Sequence, residues 1–488
     1  MKTLLDLIYR SAQIWPEQNV LEYPTGESIN YKDFLLLIET GTQRLKKSGL
    51  GLGDHVALLA KNSFQSAAAY FSVISLGGVV VPINYSLDSS AISEVIATCD
   101  PKLIIAESAL RNRITLKAEY KTIDASQLSK SPPSNCYRKN QIQISEDNLA
   151  SIVFTSGSEG HPLGVMLSHK NLLSNTTSIA QYMKLTDRDR ILCVLPLYYI
   201  YGLSLLLSHI AVGGTTILEN RFMFPQVVAE SLKTSDATGF AGVSTHYHVL
   251  MQKTDFPETA YPSLRYFQHA GDKMPTSTSA GILKAFPGKE LYLMYGQTEA
   301  APRLSFLCPT KASAKLASSG QGIPGVTLKT VRENGTQCAV NEEGELLAKG
   351  SNIMIGYFNE PVETKKVIKN EWLHTGDMAY VDTEGDIFIT GRKKQFLKVG
   401  GRRIPPSEIE KACLELPLVR EAAAIGISDL LLGQRVKVFL SVSEEIEKKQ
   451  VLAELRKRLP TYMVPAEIEF ISELPKKSNG KVDRNQLI

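Results

Sequence analysis

Between residues 31 and 218 the sequence alternates short apolar segments with longer segments of helical periodicity, and this alternation restricts the possible folds most. Parallel strands need a crossover connection of roughly a dozen residues or more, usually a helix. The spacing therefore predicts βαβ units, mostly parallel sheets and an α/β fold class. Helices are predicted at 31–47, at 64–76 and after Ser168, and strands at 55–60, 79–83, 103–106, 151–155, 191–195 and 215–218.

The length of 488 residues predicts more than one domain, because single hydrophobic cores stop growing at roughly 250–300 residues. From residue 320 the sequence changes to short strands separated by Gly, Asn and Asp turns, which predicts a small antiparallel β unit. A compact α+β tail follows GRKK at 391–394. We predict a large N-terminal domain at 1–391, containing α/β subdomains and the β unit, and a small C-terminal domain at 392–488.

Net charge and apolar patterning exclude several classes of protein. A net charge of +4 is too small to indicate a nucleic-acid-binding protein. The N-terminal segment has the spacing of an amphipathic helix and contains Asp6 and Arg10, so it does not read as a signal peptide. The longest apolar run, Leu203–Leu218, is broken by polar and glycine residues and is interpreted as core, which leaves no expected membrane insertion.

The cysteines are scattered, without a CxxC pair or the spacing of metal ligands. Isolated cysteines in a long chain are usually small buried hydrophobic residues, and this usage favours a reduced, cytoplasmic setting. They are Cys99, Cys136, Cys193, Cys308, Cys338 and Cys413.

A Ser/Gly-rich loop connects a predicted strand to a predicted helix in FTSGSEGHPLGVMLSH, residues 154–169. Its glycines allow a tight backbone turn, so that N–H groups and hydroxyls of Thr155, Ser156 and Ser158 can surround phosphate oxygens. A flexible loop without a ligand is the alternative, because Gly-rich turns are common.

Further motifs follow this loop in a fixed order: YGQTE at 295–299, HTGD at 374–377, GRKKQFLKVGGRRIPPSEIE at 391–410 and LPKKSNGKVDR at 474–484. Together they resemble the adenylate-forming superfamily of AMP-dependent synthetases and ligases. Its members include acyl-CoA synthetases, luciferases and the adenylation domains of peptide synthetases. The resemblance extends over essentially the whole chain.

The resemblance implies a role for each motif residue in binding ATP and Mg²⁺. Tyr295 is expected against the adenine, Thr298 on the α-phosphate, and Glu299 on the metal, since a hard cation prefers carboxylate oxygen. Asp377 is expected to accept hydrogen bonds from both ribose hydroxyls, with Arg392 nearby. The remaining implied ATP-binding residues are Thr155, Ser156, Gly157, Ser158, Gly160, Gly271, Asp272, Gly296 and Gln297.

The C-terminal motifs imply a mobile domain with a catalytic cation. Lys481 is expected to bridge carboxylate and phosphate oxygens during adenylation, together with Thr298 and Glu299. Lys394 resembles the hinge about which this domain rotates between the half-reactions. The thiol acceptor is expected on the side of Lys398, Gly400 and Gly401. Basic residues in this segment suit the phosphates of CoA or an acidic carrier protein.

Two segments depart from the family pattern. The phosphate loop carries Glu159 and Leu163 where the family usually has threonine and lysine. Losing the lysine predicts weaker ATP binding, by roughly 1–3 kcal/mol, with the chemistry retained. Tyr199 stands where acyl-CoA synthetases often have a histidine, and Gln395 is a minor departure.

The segment PLYYIYGLS at 196–204 contains no acidic residue that would hold a substrate ammonium group. We therefore predict a small-molecule carboxylic acid without an α-amino group as the substrate. The predicted acyl pocket is lined by Tyr199, Phe240, Tyr247, Gln268 and Met294.

The resulting prediction is an AMP-forming acid–thiol ligase that makes acyl-AMP from ATP with Mg²⁺ and transfers the acyl group to CoA. The first alternative is a stand-alone enzyme that loads the phosphopantetheine of an acyl or peptidyl carrier protein. A catalytically silent nucleotide-binding homologue and a luciferase-like oxidative enzyme are the remaining alternatives.

Overall fold

The computed structural model describes residues 2–112, 120–129, 143–156, 162–393, 397–399, 402–429, 433–476 and 482–487. The N-terminal part alternates helices and strands, as the periodicity predicts. Its elements are α1 (Leu4–Ile14), β1 (Asn19–Glu22), β2 (Ser28–Asn30), α2 (Tyr31–Lys47), β3 (His55–Leu59), α3 (Phe64–Ile74), β4 (Val79–Pro82), α4 (Ser89–Cys99), β5 (Leu103–Ala106), α5 (Ser108–Arg111) and β6 (Thr122–Asp124).

The alternation continues through the middle of the chain. Its elements are β7 (Leu149–Ser156), β8 (Pro162–Ser168), α6 (His169–Tyr182), β9 (Arg190–Cys193), α7 (Ile200–Val212), β10 (Thr215–Leu218), α8 (Pro225–Thr234), β11 (Gly239–Gly242), α9 (Ser244–Lys253), β12 (Tyr266–His269), α10 (Thr276–Ala285), β13 (Glu290–Gly296), β14 (Arg303–Leu307), α11 (Pro309–Ala312) and β15 (Gln321–Gly322).

Strands dominate from residue 326 onward. The elements are β16 (Val326–Val331), β17 (Gly344–Gly350), β18 (Gly356–Tyr357), α12 (Pro361–Val367), β19 (Ile368–Lys369), β20 (Trp372–Val381), β21 (Ile387–Arg392), β22 (Leu397–Val399), β23 (Arg402–Ile404), α13 (Pro406–Leu414), β24 (Val419–Asp429), β25 (Gly433–Val442), α14 (Lys448–Arg458) and β26 (Glu467–Phe470).

Side chains at the helix starts explain why several of these helices begin where they do. The N-caps Thr3, Ser63 and Ser168 each accept a hydrogen bond from the third backbone N–H of the helix that follows, which satisfies one of the otherwise unpaired donors. Asn30 caps α2 in the same way through Asp33 N. Helix α7 is apolar around most of its circumference and is almost entirely buried, which confirms the interpretation of Leu203–Leu218 as core.

Two large sheets follow the βαβ pattern. A nine-stranded sheet has the order β15-β14-β13-β12-β11-β9-β10-β1-β2, and a seven-stranded sheet has the order β18-β8-β7-β4-β3-β5-β6. The central pairs of both sheets are parallel, for example β12 with β13 and β3 with β4. Antiparallel pairs lie toward the edges, for example β13 with β14 and β7 with β8, whereas β6 at one edge of the seven-stranded sheet is parallel to β5. The predicted α/β class is confirmed.

Smaller sheets complete the described chain. One has the order β16-β17-β20-β19 with β21 beside β20, which agrees with the predicted small antiparallel unit. Another has the order β23-β22-β25-β24 with β26 parallel to β25, and it packs on α13 and α14 through its own apolar cluster. This is the small α+β C-terminal domain that the sequence predicts.

Compactness divides the chain into one unit at 1–328 and 348–373 and a second at 329–347 and 374–488. The boundary that we place after residue 391 remains a prediction. Among the helices of the described residues, none is long and apolar enough to cross a bilayer.

Several histidines of the first unit are buried and neutral. His169 is 0% exposed, and its Nδ1 accepts a hydrogen bond from Leu4 N at 3.3 Å. His209 is 0% exposed and bonds through its ring nitrogens to Leu205 O at 2.8 Å and Tyr266 Oη at 3.1 Å. Burial lowers the pKa of both His169 and His209 to about 4.

These histidines predict a loss of stability in mild acid. An unfolded histidine binds a proton as the pH falls below about 6.5, whereas these folded ones do so only near pH 4. The stability that they contribute is therefore present above pH 6.5 and lost between pH 6.5 and 4, by about 2 kcal/mol for each histidine at pH 5. We expect the urea midpoint of the first unfolding transition to fall between pH 7 and pH 5.

Replacing His169→Asn should make this fall smaller, whereas His248→Asn, at an exposed position, should leave it unchanged. Identical pH dependence in the wild type and His169→Asn would show that His169 does not contribute.

Candidate active site

The YGQTE motif begins with the last two residues of β13, Tyr295 and Gly296, and continues into the turn that follows; β13 is parallel to β12 in the nine-stranded sheet. Residues 295–299 are all half-buried, while Met294 and Ala300 on either side are buried. Gly296 lies directly opposite the chain at Pro302, because a Cβ at this position would stand 1.9 Å from the carbonyl oxygen of Pro302. Ligands of open α/β sheets bind beyond the carboxyl ends of the strands, and the motif occupies such an end.

Two buried asparagines hold this turn in place. Asn175 Nδ2, from α6, donates to the carbonyl oxygens of Ala300 at 3.2 Å and Arg303 at 3.0 Å. Asn352 Nδ2 donates to the same two oxygens at 2.9 and 2.8 Å. A buried carbonyl without a partner costs roughly 1–3 kcal/mol, so the two amides fix the backbone on which Glu299 stands.

The Glu299 carboxylate is oriented for a ligand. Its Oε1 accepts a hydrogen bond from Tyr357 Oη at 2.8 Å, and its backbone oxygen accepts one from Met354 N at 2.9 Å. Among the described residues there is no group of three or more His, Cys, Asp or Glu that would hold a metal alone. Mg²⁺ is commonly bound by one or two carboxylates together with substrate phosphates, so a single oriented carboxylate fits Mg²⁺ delivered with ATP.

The phosphate loop is only partly described. Thr155 and Ser156 end β7, and Thr155 is half-buried with its Oγ1 donating to Leu163 O at 3.4 Å. Leu163 pairs with Thr155 across the ladder and packs against the main apolar cluster. The predicted residues Gly157, Ser158 and Gly160, and the departure at Glu159, lie outside the described residues.

A polar cluster occupies the end of β12, next to β13. Asp272 Oδ1 lies 2.9 Å from His269 Nε2 and accepts from Ser244 Oγ at 2.8 Å and Ser244 N at 3.1 Å. Burial opposes ionisation, but the bonds and charge of His269 and then Ser244 lower the pKa of Asp272 below its ordinary value. Gly271 takes a φ of 104°, which favours glycine. The predicted ATP-binding residues Gly271 and Asp272 thus lie one strand from the YGQTE turn.

The predicted acyl-pocket residues fall into two groups on the nine-stranded sheet. Tyr199 and Met294 belong to the cluster that contains Ala241 and Tyr266. Phe240 and Tyr247 are 0% exposed and belong to the cluster that contains Phe267 and Leu293. Neighbouring strand residues point to opposite faces, so the sheet separates these groups.

Gln268 is also 0% exposed, and its backbone oxygen accepts from Tyr247 Oη at 2.7 Å. The structure thus brings Tyr199 and Met294 together and places Phe240 and Tyr247 elsewhere in the core. The assignment of these side chains to the substrate remains a prediction.

Asp377 lies on β20 in the second unit and is 4% exposed. Its Oδ1 is 2.7 Å from Nε of Arg392, which stands opposite it on β21. Its backbone N–H donates to Thr375 Oγ1 at 3.1 Å. The two predicted ribose-binding residues are therefore together, and Arg392 holds the carboxylate in one orientation.

The segment before the predicted hinge carries a second ion-pair cluster. Glu345 Oε2 is 2.8 Å from Lys393 Nζ and 3.2 Å from His374 Nδ1. Burial opposes ionisation, but Lys393 and then His374 lower the pKa of Glu345. Lys398 is described only through its place in β22, and Lys394, Gln395, Gly400, Gly401 and Lys481 lie outside the described residues.

Sequence reasoning missed the residues that position the motif: Asn175, Asn352 and Tyr357. Each contacts the YGQTE turn from a distant part of the chain, and no local pattern marks them. An asparagine on the buried face of a helix, as at Asn175, was the one available signal.

This geometry agrees with comparisons against known proteins. Residues 8–358 match the family model "AMP-binding enzyme", and residues 408–481 match "AMP-binding enzyme C-terminal domain". The chain is 30% identical to a 2-succinylbenzoate–CoA ligase of Bacillus licheniformis, over 91% of each chain. It is 31% identical to a long-chain-fatty-acid–CoA ligase of Escherichia coli, over 90% of this chain and 86% of that protein.

A solved structure of o-succinylbenzoate CoA synthetase from Bacillus subtilis, in complex with its acyl-adenylate intermediate, superposes with a TM-score of 0.90. Its sequence identity is 26%, and the match covers 99% of this chain and 97% of that one. Another structure of the same enzyme contains ATP and a magnesium ion.

The fold and the site define an adenylate-forming enzyme. This chain belongs to the AMP-binding enzyme family, which confirms the resemblance seen in its motifs. It is an AMP-forming acid–thiol ligase that uses ATP with Mg²⁺.

Leu163 offers a test of the phosphate loop. Leu163→Lys restores a cation at the loop, and the stem of the lysine retains apolar contact while its ammonium reaches solvent. We expect the KM for ATP to fall roughly fivefold or more with kcat little changed. The KM is measured by pyrophosphate release at varied ATP.

Leu163→Met, which retains an apolar side chain of similar size, serves as the control and should leave the KM for ATP unchanged. An unaltered KM in Leu163→Lys would show that a cation at this position does not contact the phosphates.

Glu299 offers a test of the metal site. Glu299→Gln retains an oxygen that can accept from Tyr357 but removes the charge, so we expect at least about a tenfold fall in adenylation at low Mg²⁺. Raising the Mg²⁺ concentration should recover part of this loss. Tyr357→Phe, which removes one hydrogen bond, should have a smaller effect.

Glu360 is exposed and lies three residues after Tyr357, and Glu360→Gln is the matched control. The initial rate of pyrophosphate release is measured against Mg²⁺ concentration. If Glu299→Gln showed the same Mg²⁺ dependence as the wild type, Glu299 would not be a ligand of the metal.

Proposed function

We propose that this enzyme activates a carboxylic acid without an α-amino group and transfers the acyl group to CoA. The observation that carries the proposal is the half-buried YGQTE turn at the carboxyl end of β13, held by Asn175 and Asn352 and presenting the oriented Glu299 carboxylate. A fixed backbone lets hydroxyl and carboxylate groups act on phosphate and metal without reorganisation.

In the first step the substrate carboxylate attacks the α-phosphorus of ATP, and pyrophosphate leaves. Glu299 would hold Mg²⁺, which offsets the charge of the phosphates, and Thr298 would bond to the α-phosphate. Tyr295 would contact the adenine, and Asp377 would accept hydrogen bonds from the ribose hydroxyls. Lys481 would stabilise the negative charge that develops at the reacting oxygens.

In the second step the C-terminal domain would rotate about Lys394, withdraw Lys481 and present the side of Lys398, Gly400 and Gly401 to the thiol. The thiol attacks the acyl carbonyl and AMP leaves. A closed site would protect the mixed anhydride from water between the two steps.

The nature of the acid is supported by the segment that starts α7. It contains Tyr199 and no acidic residue that would pair with an ammonium group. The nearby Asp272 carboxylate already interacts with Ser244 and His269. The relatives whose names specify fatty acids and 2-succinylbenzoate act on acids of the proposed class.

CoA is the proposed acceptor, because the named relatives are CoA ligases. A carrier-protein phosphopantetheine remains the alternative acceptor. A cytoplasmic location is proposed from cysteine usage, since the described cysteines Cys99, Cys193, Cys308, Cys338 and Cys413 are free thiols.

The proposal is tested by ATP–pyrophosphate exchange with fatty, aromatic, dicarboxylic and amino acids. Exchange is expected with carboxylic acids that lack an α-amino group. Adding CoA should then release AMP and form the acyl-CoA. Lys481→Ala should abolish exchange while retaining thioester formation from supplied acyl-AMP.

Thioester formation on a carrier protein, but not on CoA, would show that the carrier-protein phosphopantetheine is the acceptor. The absence of exchange with every acid, despite measurable ATP binding, would contradict the proposed function. Equal loss of both half-reactions in Lys481→Ala would contradict the role of the lysine.

A further inference from the structure

Among the described residues, Arg303 is a buried cation without a carboxylate partner. It is the first residue of β14, is 2% exposed, and heads the group of largest fully buried side chains. No carboxylate of the described residues forms an ion pair with it, and its Nη2 has no hydrogen-bond partner within the described part of the chain. Burying a charged group without a partner is strongly unfavourable, so this arrangement needs an explanation.

The neighbours of Arg303 are aromatic or weakly polar. Its Cζ lies 4.2 Å from the centre of the Tyr201 ring, and its Nε donates to Met294 Sδ at 3.2 Å. The Tyr182 hydroxyl donates to the same sulfur at 3.1 Å. A cation over an aromatic face is attracted to it, and a thioether is a weak acceptor, so these contacts orient the guanidinium without neutralising it.

The surrounding phenols do not supply the missing charge. Burial raises the pKa of Tyr182 and of Tyr201 despite the opposing effect of Arg303. Both tyrosines are therefore neutral at physiological pH. The counter-charge must come from elsewhere if the guanidinium is to be paired.

Arg303 lies beside the reaction site rather than in a remote part of the core. It stands opposite Gly296 in the β13–β14 ladder, within the turn that carries the YGQTE motif. Its contact Met294 shares an apolar cluster with the half-buried Tyr199. The Tyr199 hydroxyl lies 3.9 Å from the position that a Cβ on Gly271 would take, at the end of β12. The guanidinium is thus next to side chains predicted to contact the acyl group.

The geometry points to Arg303 as the residue that binds a second, non-reacting carboxylate on the acyl substrate. The inference rests on the proposed function, and it narrows the substrate class to acids that carry a second carboxylate on the acyl chain. The bound carboxylate would accept from the unpartnered Nη2 and supply the missing counter-charge. A charge-assisted bond in a desolvated site is about twice as strong as a neutral one, so the effect on specificity is large.

The experiment compares acids matched in carbon number: succinate with butanoate, glutarate with pentanoate, and adipate with hexanoate. The monoamide of adipate adds a nearly isosteric probe without the second charge. For the wild type we expect a kcat/KM in pyrophosphate exchange that is about tenfold or more higher for a dicarboxylate than for its matched monoacid and for the monoamide.

Arg303→Met should reverse this preference. We expect it to lower the kcat/KM for dicarboxylates at least about tenfold and to leave the kcat/KM for monoacids unchanged or higher. Arg303→Lys, which retains a charge but not the planar fork, should retain part of the preference. It also keeps the question decidable if Arg303→Met fails to fold. Arg265→Met is the matched control, because Arg265 lies 4.6 Å from the Tyr266 ring and pairs with Asp189 and Glu290. Arg265→Met should lower the stability of the protein without altering the ratio of kcat/KM between dicarboxylates and matched monoacids.

A wild type that prefers monoacids, or an Arg303→Met enzyme in which both series change by the same factor, would overturn the inference and leave Arg303 as a packing residue. Thermal stabilisation by the same acids, measured in the presence of ATP, separates this outcome from a failure of the proposed function. If no acid supports exchange, stabilisation by dicarboxylates in the wild type but not in Arg303→Met still supports the inference. Equal stabilisation in both proteins contradicts it.

Discussion

Four hydrogen bonds from two buried carboxamides determine the shape of the site. Asn175 and Asn352 reach the turn after β13 from different segments of the chain, and both donate to the carbonyl oxygens of Ala300 and Arg303. Each bond contributes only about 1 kcal/mol net, but leaving a buried carbonyl unpaired costs more, so the arrangement is kept as a unit. Because the same turn bears Glu299, the position of this carboxylate, which is predicted to bind Mg²⁺, depends on these amides.

Charge is distributed unusually around this turn. The phosphate loop has Leu163 where a lysine is usual, while β14 buries Arg303 beside the YGQTE motif. The two positions are not interchangeable, because their surroundings differ. Leu163 packs against the main apolar cluster beside the loop, whereas the Arg303 side chain contacts Tyr201 and Met294. A cation beside the phosphates would assist ATP binding, whereas one beside the acyl side selects among acids. On the proposed role of Arg303, the buried cation of this turn would act on substrate choice rather than on ATP binding.

Local patterns predict the framework of this fold well and its long-range contacts poorly. Helix α2 is predicted at 31–47 and observed at Tyr31–Lys47, because its apolar spacing and the Asn30 cap agree. Motif residues such as Glu299 are singled out by the resemblance of the ordered motifs to a known family, and their roles remain predictions. The acyl pocket is harder, since strand periodicity shows that Phe240 and its neighbour lie on opposite faces but not which face meets the substrate. Partners such as Asn175 and Tyr357 depend on tertiary packing, which no local pattern encodes.

Two ion pairs of the second unit lie just before the predicted hinge at Lys394. Asp377 is bonded to Arg392 across β20 and β21, and Lys393 is bonded to Glu345. The residues immediately before the predicted hinge are thus attached to their own sheet by two separate ion pairs, each with a carboxylate that is largely buried. Partly buried pairs are screened less by salt than exposed ones and resist separation more. If the chain rotates about the predicted hinge Lys394, the rotation would begin after Lys393 and leave Asp377, predicted to bind the ribose, and Arg392 in place.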